Sequence, residues 1–469
     1  MIKLPILALL FFLSNLVSAQ VNRNEMPKPT APKKIGFKDS ELFTTKNGIK
    51  VILSENHKIP KVSLDLRMGY NPGFEGEKVG LGAIMGDLIM SGTDKRSKDQ
   101  LDKEVDFIGA SLSASSTNVF LSCLTKHLEK GLDLMSDVTM NANFPTLEFD
   151  RIVNQYESNL LSYKSDADAM AQNALSAVNF PNHPYGETMT TTSLANIKLE
   201  DIKNNFKACF TPKGAYLVIV GDINRAEAEA MIEKYFGKWT GSAPTMPSFE
   251  NPIKNNGNQV YFVNKPGAVQ SVIKITFPIS MRNGSKDNLK MNVLNDVFGG
   301  GGFGTRLMQN LREDKAYTYG CYSGLNIEDN GGWVSAGGNF RNAVTDSAIT
   351  QILMEFNRLN AEIITDKEIE LTKAVKAGNF SRSLERSQTV ARFAFNIEKY
   401  GLPKDYYKTY LQSLDAISPA DLQHIAKTYI PTNNFNIIVV GNEEIMEKIK
   451  RFDSDGKVTI LDEFGHVIN

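Results

Sequence analysis

The stretch from Ser193 to Asp222, SLANIKLEDIKNNFKACFTPKGAYLVIVGD, returns without gaps from Ser413 to Asn442, SLDAISPADLQHIAKTYIPTNNFNIIVVGN. At a constant offset of 220 residues, Leu194 meets Leu414, Ile197 meets Ile417, Asp201 meets Asp421, Lys207 meets Lys427, and Leu217–Gly221 meets Ile437–Gly441. Each copy reads as a helix opened at Asp201 or Asp421 and followed by a buried apolar strand ending in glycine. Units that recur at this distance are too far apart to stack as a solenoid. The expected fold is α+β: two homologous domains, each a mainly antiparallel sheet with helices packed on one face.

The length of 469 residues fits that duplication, since one core seldom holds so many. The Pro-, Asn- and Gly-rich stretch 241–257 is the expected linker between a domain at 41–240 and another at 258–469. In the first, Gly48–Leu53, Val62–Arg67, Ser111–Ala114 and Val119–Leu124 read as strands; Lys98–Ile108, Leu128–Thr139 and Phe149–Leu161 read as helices. With 42% hydrophobic and 22% charged residues, a net charge of -1 and no basic block, the composition excludes a disordered chain and gives no sign of a nucleic-acid partner.

Met1–Ala19 has one early cation, Lys3, an apolar run from Leu4 to Val17 and small residues before Gln20, the pattern of a secretory signal peptide. The run is shorter than the roughly 20 residues a membrane span needs. The mature chain is therefore expected to start near Gln20, to pass through a lead over 20–40, to keep no stable membrane span, and to be exported to a periplasmic or external space. Cys123, Cys209 and Cys321 are an odd, sparse set without Cys-x-x-Cys spacing, which leaves room for one bridge at most and reads as buried thiols, and none of the five histidines pairs with another at i, i+4.

Gly80–Thr93, GLGAIMGDLIMSGT, places Leu81, Ile84, Met85, Leu88 and Ile89 on one helical stripe, with Ala83, Gly86, Asp87 and Met90 on the other face. This helix, with its Gly-Leu start and Gly-Thr end, resembles the signature helix of the pitrilysin/insulinase family of zinc peptidases, the inverzincins, whose active members carry His-x-x-Glu-His there. The five corresponding positions here run from Ala83 to Asp87. Matching the Phe149–Arg151 segment puts the family's third ligand, a glutamate, at Asn159, with Glu157 the nearest carboxylate. A catalytic zinc needs about three protein ligands, an open position and a base. Ala83, Gly86, Asp87 and Asn159 are thus a degenerate zinc motif, Asp87 also reading as an ordinary capping or solvated acid, and no metal ligand or catalytic residue is assigned to this chain. Ser113 stands where the family's edge strand carries asparagine, and Asn182–Gly186 resembles its His-Pro-x-Gly loop.

In the second half Gly299, Gly300, Gly301 and Gly302 precede Phe303-Gly304. The run follows a helix rather than a strand and lacks Gly-Lys-Ser/Thr, so dinucleotide and P-loop sites are rejected. A flexible connector and a backbone surface open to a bound peptide both remain. Thr305–Leu307 and Leu311–Tyr319 resemble the family's Ser-Arg-Leu and Leu-Arg…Tyr block, which implies that Arg312 and Tyr319 hold substrate backbone and a developing oxyanion. An ion pair of Arg312 with Glu313 or Asp314, and a packed Tyr319, is the plain alternative. Half-size members of the family often act in pairs, one subunit with His-x-x-Glu-His and the other with the Arg/Tyr pair and glycine loop, together closing a peptidase chamber. The resemblance thus implies a non-catalytic, substrate-binding subunit of an exported zinc metallopeptidase acting on peptides or unfolded segments, with zinc in the partner. An inactive scaffolding protein of the same family, and an independent enzyme with an unrecognised zinc site, are the rival readings.

Overall fold

The structure, a computed structural model, describes residues 35–70, 73–245, 248–249 and 256–468. The signal-peptide segment, most of the lead and part of the 241–257 linker lie outside the described residues. Strands β1 (Glu41–Thr44), β2 (Lys50–Glu55), β3 (Lys61–Arg67), β4 (Ser111–Ala114), β5 (Asn118–Leu124) and β6 (Tyr216–Gly221) form one sheet in the order β1-β2-β6-β3-β5-β4. β7 (Gln259–Asn264), β8 (Gln270–Ile279), β9 (Cys321–Glu328), β10 (Gly331–Arg341), β11 (Asn436–Gly441) and β12 (Val458–Leu461) form a second, in the order β12-β7-β11-β8-β10-β9.

The repeat strands β6 and β11 occupy the same place: each lies between a parallel neighbour (β2 or β7) and an antiparallel one (β3 or β8). The other pairings are antiparallel except β12, which runs parallel to β7 where β1 runs antiparallel to β2. Both sheets are thus mixed, with antiparallel pairs in the majority.

The helices of eight residues or more are α1 (Leu81–Leu88), α2 (Lys98–Phe107), α3 (Leu128–Asn141), α4 (Thr146–Ser162), α5 (Ala167–Asn179), α6 (Leu199–Cys209), α7 (Arg225–Phe236), α8 (Asn288–Asn295), α9 (Thr345–Ala361), α10 (Asp366–Ser383), α11 (Ser387–Tyr400) and α12 (Pro419–Tyr429). The repeat helices start two residues before the expected openers. Asp201 and Asp421 sit in the first turn and accept the N–H of Lys198 and Ser418, each at 2.9 Å. Each also takes a lysine ammonium, Lys78 or Lys290, at 2.6 Å.

Each sheet buries one face under helices of its own half. The repeat strands are apolar from Leu217 to Val220 and from Ile437 to Val440 because the other face is buried too. Ile52, Val218 and Val220 pack against Ala391 and Phe395 of α11, which comes from the second half. Val263, Val272, Ile438 and Val440 pack against Met170, Ala171, Ala174 and Leu175 of α5, from the first. Buried Asn179 of α5 donates to Thr276 Oγ1 at 2.8 Å and accepts from Asn436 Nδ2 at 2.9 Å. This reciprocal exchange of one helix ties the halves together. Among the described residues, no helix is long and apolar enough to cross a membrane.

Candidate functional site

In the first half, Ile84, Met85, Leu88 and Ile89 are fully buried, so the stripe read from the sequence is core. Ala83 and Asp87 face outward. Gly86 lies under the turn joining β4 to β5, where a Cβ would come within 2.7 Å of Ser116 N and 2.9 Å of the Ser115 carbonyl carbon. That turn is held by Ser115 N–H donating to Asn118 O at 2.8 Å and by the Tyr70 hydroxyl on Ser116 O. A glutamate side chain has no room here. Tyr156 Oη donates to Asp87 Oδ2 at 2.9 Å, while Asn159 is exposed and its carbonyl accepts from Ser162 Oγ. Burial, with this bond to Asp87, pushes the Tyr156 phenol above its ordinary range. A methyl group, a bare backbone, an engaged carboxylate and a neutral amide do not fit zinc. Among the described residues no three His, Cys, Asp or Glu side chains form a metal-holding group.

Sequence reasoning missed what fills the N-terminus of α1. Glu75 accepts the N–H of Gly80 at 2.7 Å and of Gly82 at 2.8 Å, and Glu187 accepts the N–H of Glu75 at 2.9 Å. The Glu75 carboxylate thereby occupies the positive end of this helix, and Glu187 holds the backbone of Glu75 in place behind it. Burial, with the charge of Glu75, raises the Glu187 carboxyl against the backbone N–H bonds that lower it. His183 is a buried ring whose Nδ1 accepts the N–H of Tyr185, and burial lowers its pKa. Gly186 is required there, because a Cβ would lie 2.1 Å from Phe180 O.

The second half is open where the first is closed. Met308 and Leu311 are buried, and Asn310 Nδ2 donates to the buried Glu355 at 2.6 Å, fixing Met308–Asp314 as a π-helical turn, a feature frequent at functional sites. Arg312 projects from its rim. The guanidinium carbon lies 4.6 Å from the Phe303 ring centroid, and Nε is 3.5 Å from Glu313 Oε1. A contact that long near solvent contributes at most about 1 kcal/mol and leaves much of the donor fork free. Tyr319 is 92% exposed, so it does not pack in a strand. It is positioned by Thr318, whose Oγ1 donates to Asn339 O at 2.7 Å. Arg312 and Tyr319 line one cleft of about 1170 Å³ with Lys274, Tyr322, Gly337 and Arg341.

The glycine run is placed differently. Gly299 is buried, and a Cβ at Gly299, Gly300 or Gly301 would meet Ser323 N, Asn295 Nδ2 or Asp296 O at 2.4–2.5 Å. These glycines are required by packing against neighbouring backbone and side chains, and Gly302 by its φ of +96°. None of Gly299 to Gly302 lines this cleft, although Gly300 and Gly301 are exposed beside it in the chain. The loop reaches the site through Phe303, stacked on Arg312.

Fold and site together define a duplicated α+β peptidase scaffold whose motif helix offers no zinc ligand set. The family model for insulinase (peptidase family M16) matches residues 50–193, and that for the peptidase M16 inactive domain matches 196–376. The chain belongs to this family. A Bacillus subtilis protein described as an uncharacterized zinc protease, YmxG, is 24% identical over 74% of this chain and 85% of its own length. A Helicobacter pylori protein described as a non-peptidase homolog is 20% identical over 84% of this chain and 92% of its own. The crystal structure of a peptidase M16 inactive domain from Pseudomonas fluorescens superposes with a TM-score of 0.78 at 21% identity, covering 86% of this chain and 98% of that one.

Proposed function

We propose that this chain is the non-catalytic, substrate-binding subunit of an exported two-subunit zinc metallopeptidase that acts on peptides or unfolded segments. The observation that carries the reading is the contrast between a motif helix without ligands and an Arg312/Tyr319 pair that shares one open cleft. A guanidinium fork and a phenol hydroxyl both donate hydrogen bonds to a carbonyl oxygen gaining charge. The partner, a family member with an intact His-x-x-Glu-His, supplies zinc and base; this chain closes the chamber and holds the substrate. The pattern of Met1–Ala19 supports export, and the non-peptidase relative supports a role without hydrolysis.

The test is reconstitution with a His-x-x-Glu-His family member from the same host. Arg312→Ala is expected to lower kcat/KM by about 10²-fold, the scale of losing one oxyanion donor, while assembly by size-exclusion chromatography is retained. Unchanged activity would remove the reading in favour of a scaffolding role.

A further inference from the structure

The duplication lets the two sheet faces be compared residue by residue. Asp65 on β3 pairs with Val218, and Lys274 on β8 pairs with Ile438. Val218 and Ile438 are repeat counterparts, so Lys274 stands where the first sheet has Asp65. By the same step Phe120, opposite Asp65, corresponds to Gly337, opposite Lys274.

The two positions are treated in opposite ways. Asp65 is satisfied within its own sheet, accepting Arg67 Nε at 2.8 Å and Asn118 Nδ2 at 3.2 Å. Lys274 is half-buried and, among the described residues, makes no salt bridge. A partly desolvated ammonium without a counter-charge is unfavourable and gains by meeting a carboxylate. The facing position on β10 carries no side chain, since a Cβ at Gly337 would lie 1.8 Å from Ile273 O, whereas the first sheet carries Phe120 there. The acids lining the cleft are Asp168, which accepts Asn339 Nδ2 at 3.4 Å, and Glu313 beside Arg312. Arg341 adds a third cation and directs Nη2 to Ala316 O at 3.1 Å.

We infer that the cleft prefers acidic peptide segments, with Lys274 Nζ receiving an Asp or Glu carboxylate of the peptide while Arg312 and Tyr319 hold the adjoining backbone. This rests on the substrate-binding reading above and adds the charge class of the substrate.

Fluorescence anisotropy of the full chain with three labelled peptides, identical except for a central Glu, Gln or Lys, tests it. The Glu peptide is expected to bind about three- to tenfold tighter than the Gln peptide, less so as salt rises. Lys274→Gln abolishes that preference and Lys274→Arg retains it. In the unmodified chain, the Glu peptide also protects Lys274 from reductive methylation more than the Gln peptide does, a readout that needs no folded variant. Equal affinities overturn the acidic preference, and a Glu preference that survives in Lys274→Gln overturns the assignment of that preference to Lys274; both outcomes leave peptide binding in place. Failure of all three peptides to bind overturns the substrate-binding reading itself.

Discussion

In the N-terminal half, Gly86 of α1 lies under the Ser115–Ser116 turn and the helix's one carboxylate, Asp87, is held by Tyr156. In the C-terminal half, Met308–Asp314 is anchored by buried Met308, Asn310 and Leu311 and presents Arg312 beside an exposed Tyr319. The strands beneath are near copies, with β6 and β11 between equivalent partners. The buried stripe of α1 keeps its volume and apolarity because packing requires both. Its outward positions carry no such constraint, so a duplicated scaffold can lose its metal chemistry in one half and remain folded.

The sharpest way to break this contrast is to restore the missing base. Gly86→Glu is expected to destabilise the chain by about 3 kcal/mol, the upper range for forcing atoms into a packed site, read as a lower midpoint in urea unfolding. Together with Ala83→His and Asp87→His, it is expected to hold no stoichiometric zinc by metal analysis, because the turn blocks the site. A stable, zinc-loaded triple variant would show that the two halves differ only in side-chain identity.

Much of this was legible in the residues. The 220-residue repeat gave the matched strands and helices, and the spacing of Ile84, Met85, Leu88 and Ile89 gave the core side of α1. Ala83 and Gly86 have no side-chain donor atom, which is read from the sequence directly. Other features depend on distant partners. Nothing in the periodicity of Met170–Leu175 or Ala391–Phe395 says which sheet the helix covers, so the exchange of α5 and α11 was invisible. Asp201 and Asp421 were read as openers because a capping box places its acid three residues inside the cap. The packing role of the glycine run was hidden because sequence alone does not separate a glycine that lets a ligand approach from one that lets neighbouring backbone and side chains do so.

A middle-sized effect concerns the clamp behind the second site. Arg306 gives Glu368 a fork, Nε at 2.8 Å and Nη2 at 3.3 Å, tying the glycine loop to α10. Burial alone would raise the Glu368 carboxyl, but the Arg306 fork and the Thr365 hydroxyl and N–H outweigh it and pull it down to about 2. An unfolded glutamate titrates near about 4.3. The folded value is the lower one, so the stabilisation is complete above about pH 4.3 and is lost as the pH falls toward about 2. We expect about 2 kcal/mol, reduced from the full linkage value because Glu368 is partly solvated. Urea unfolding from about pH 6 down to about pH 3 should show the difference between the native chain and Glu368→Gln shrinking. A constant difference would mean that the loop does not depend on this charge.

The smallest effect is the most pointed for the two halves. Asp87 is the last donor of the degenerate motif, and its one recorded bond is the Tyr156 hydroxyl at 2.9 Å near solvent. Asp87→Ala removes that bond and leaves a phenol that water can reach, so the expected cost is about 0.5–1 kcal/mol. In the reconstituted pair it should leave kcat/KM and its zinc dependence unchanged, where Arg312→Ala does not. If Asp87→Ala instead lowers activity while its unfolding midpoint barely moves, the first half still contributes a carboxylate to the chamber, and chemistry is shared between the halves rather than confined to the second.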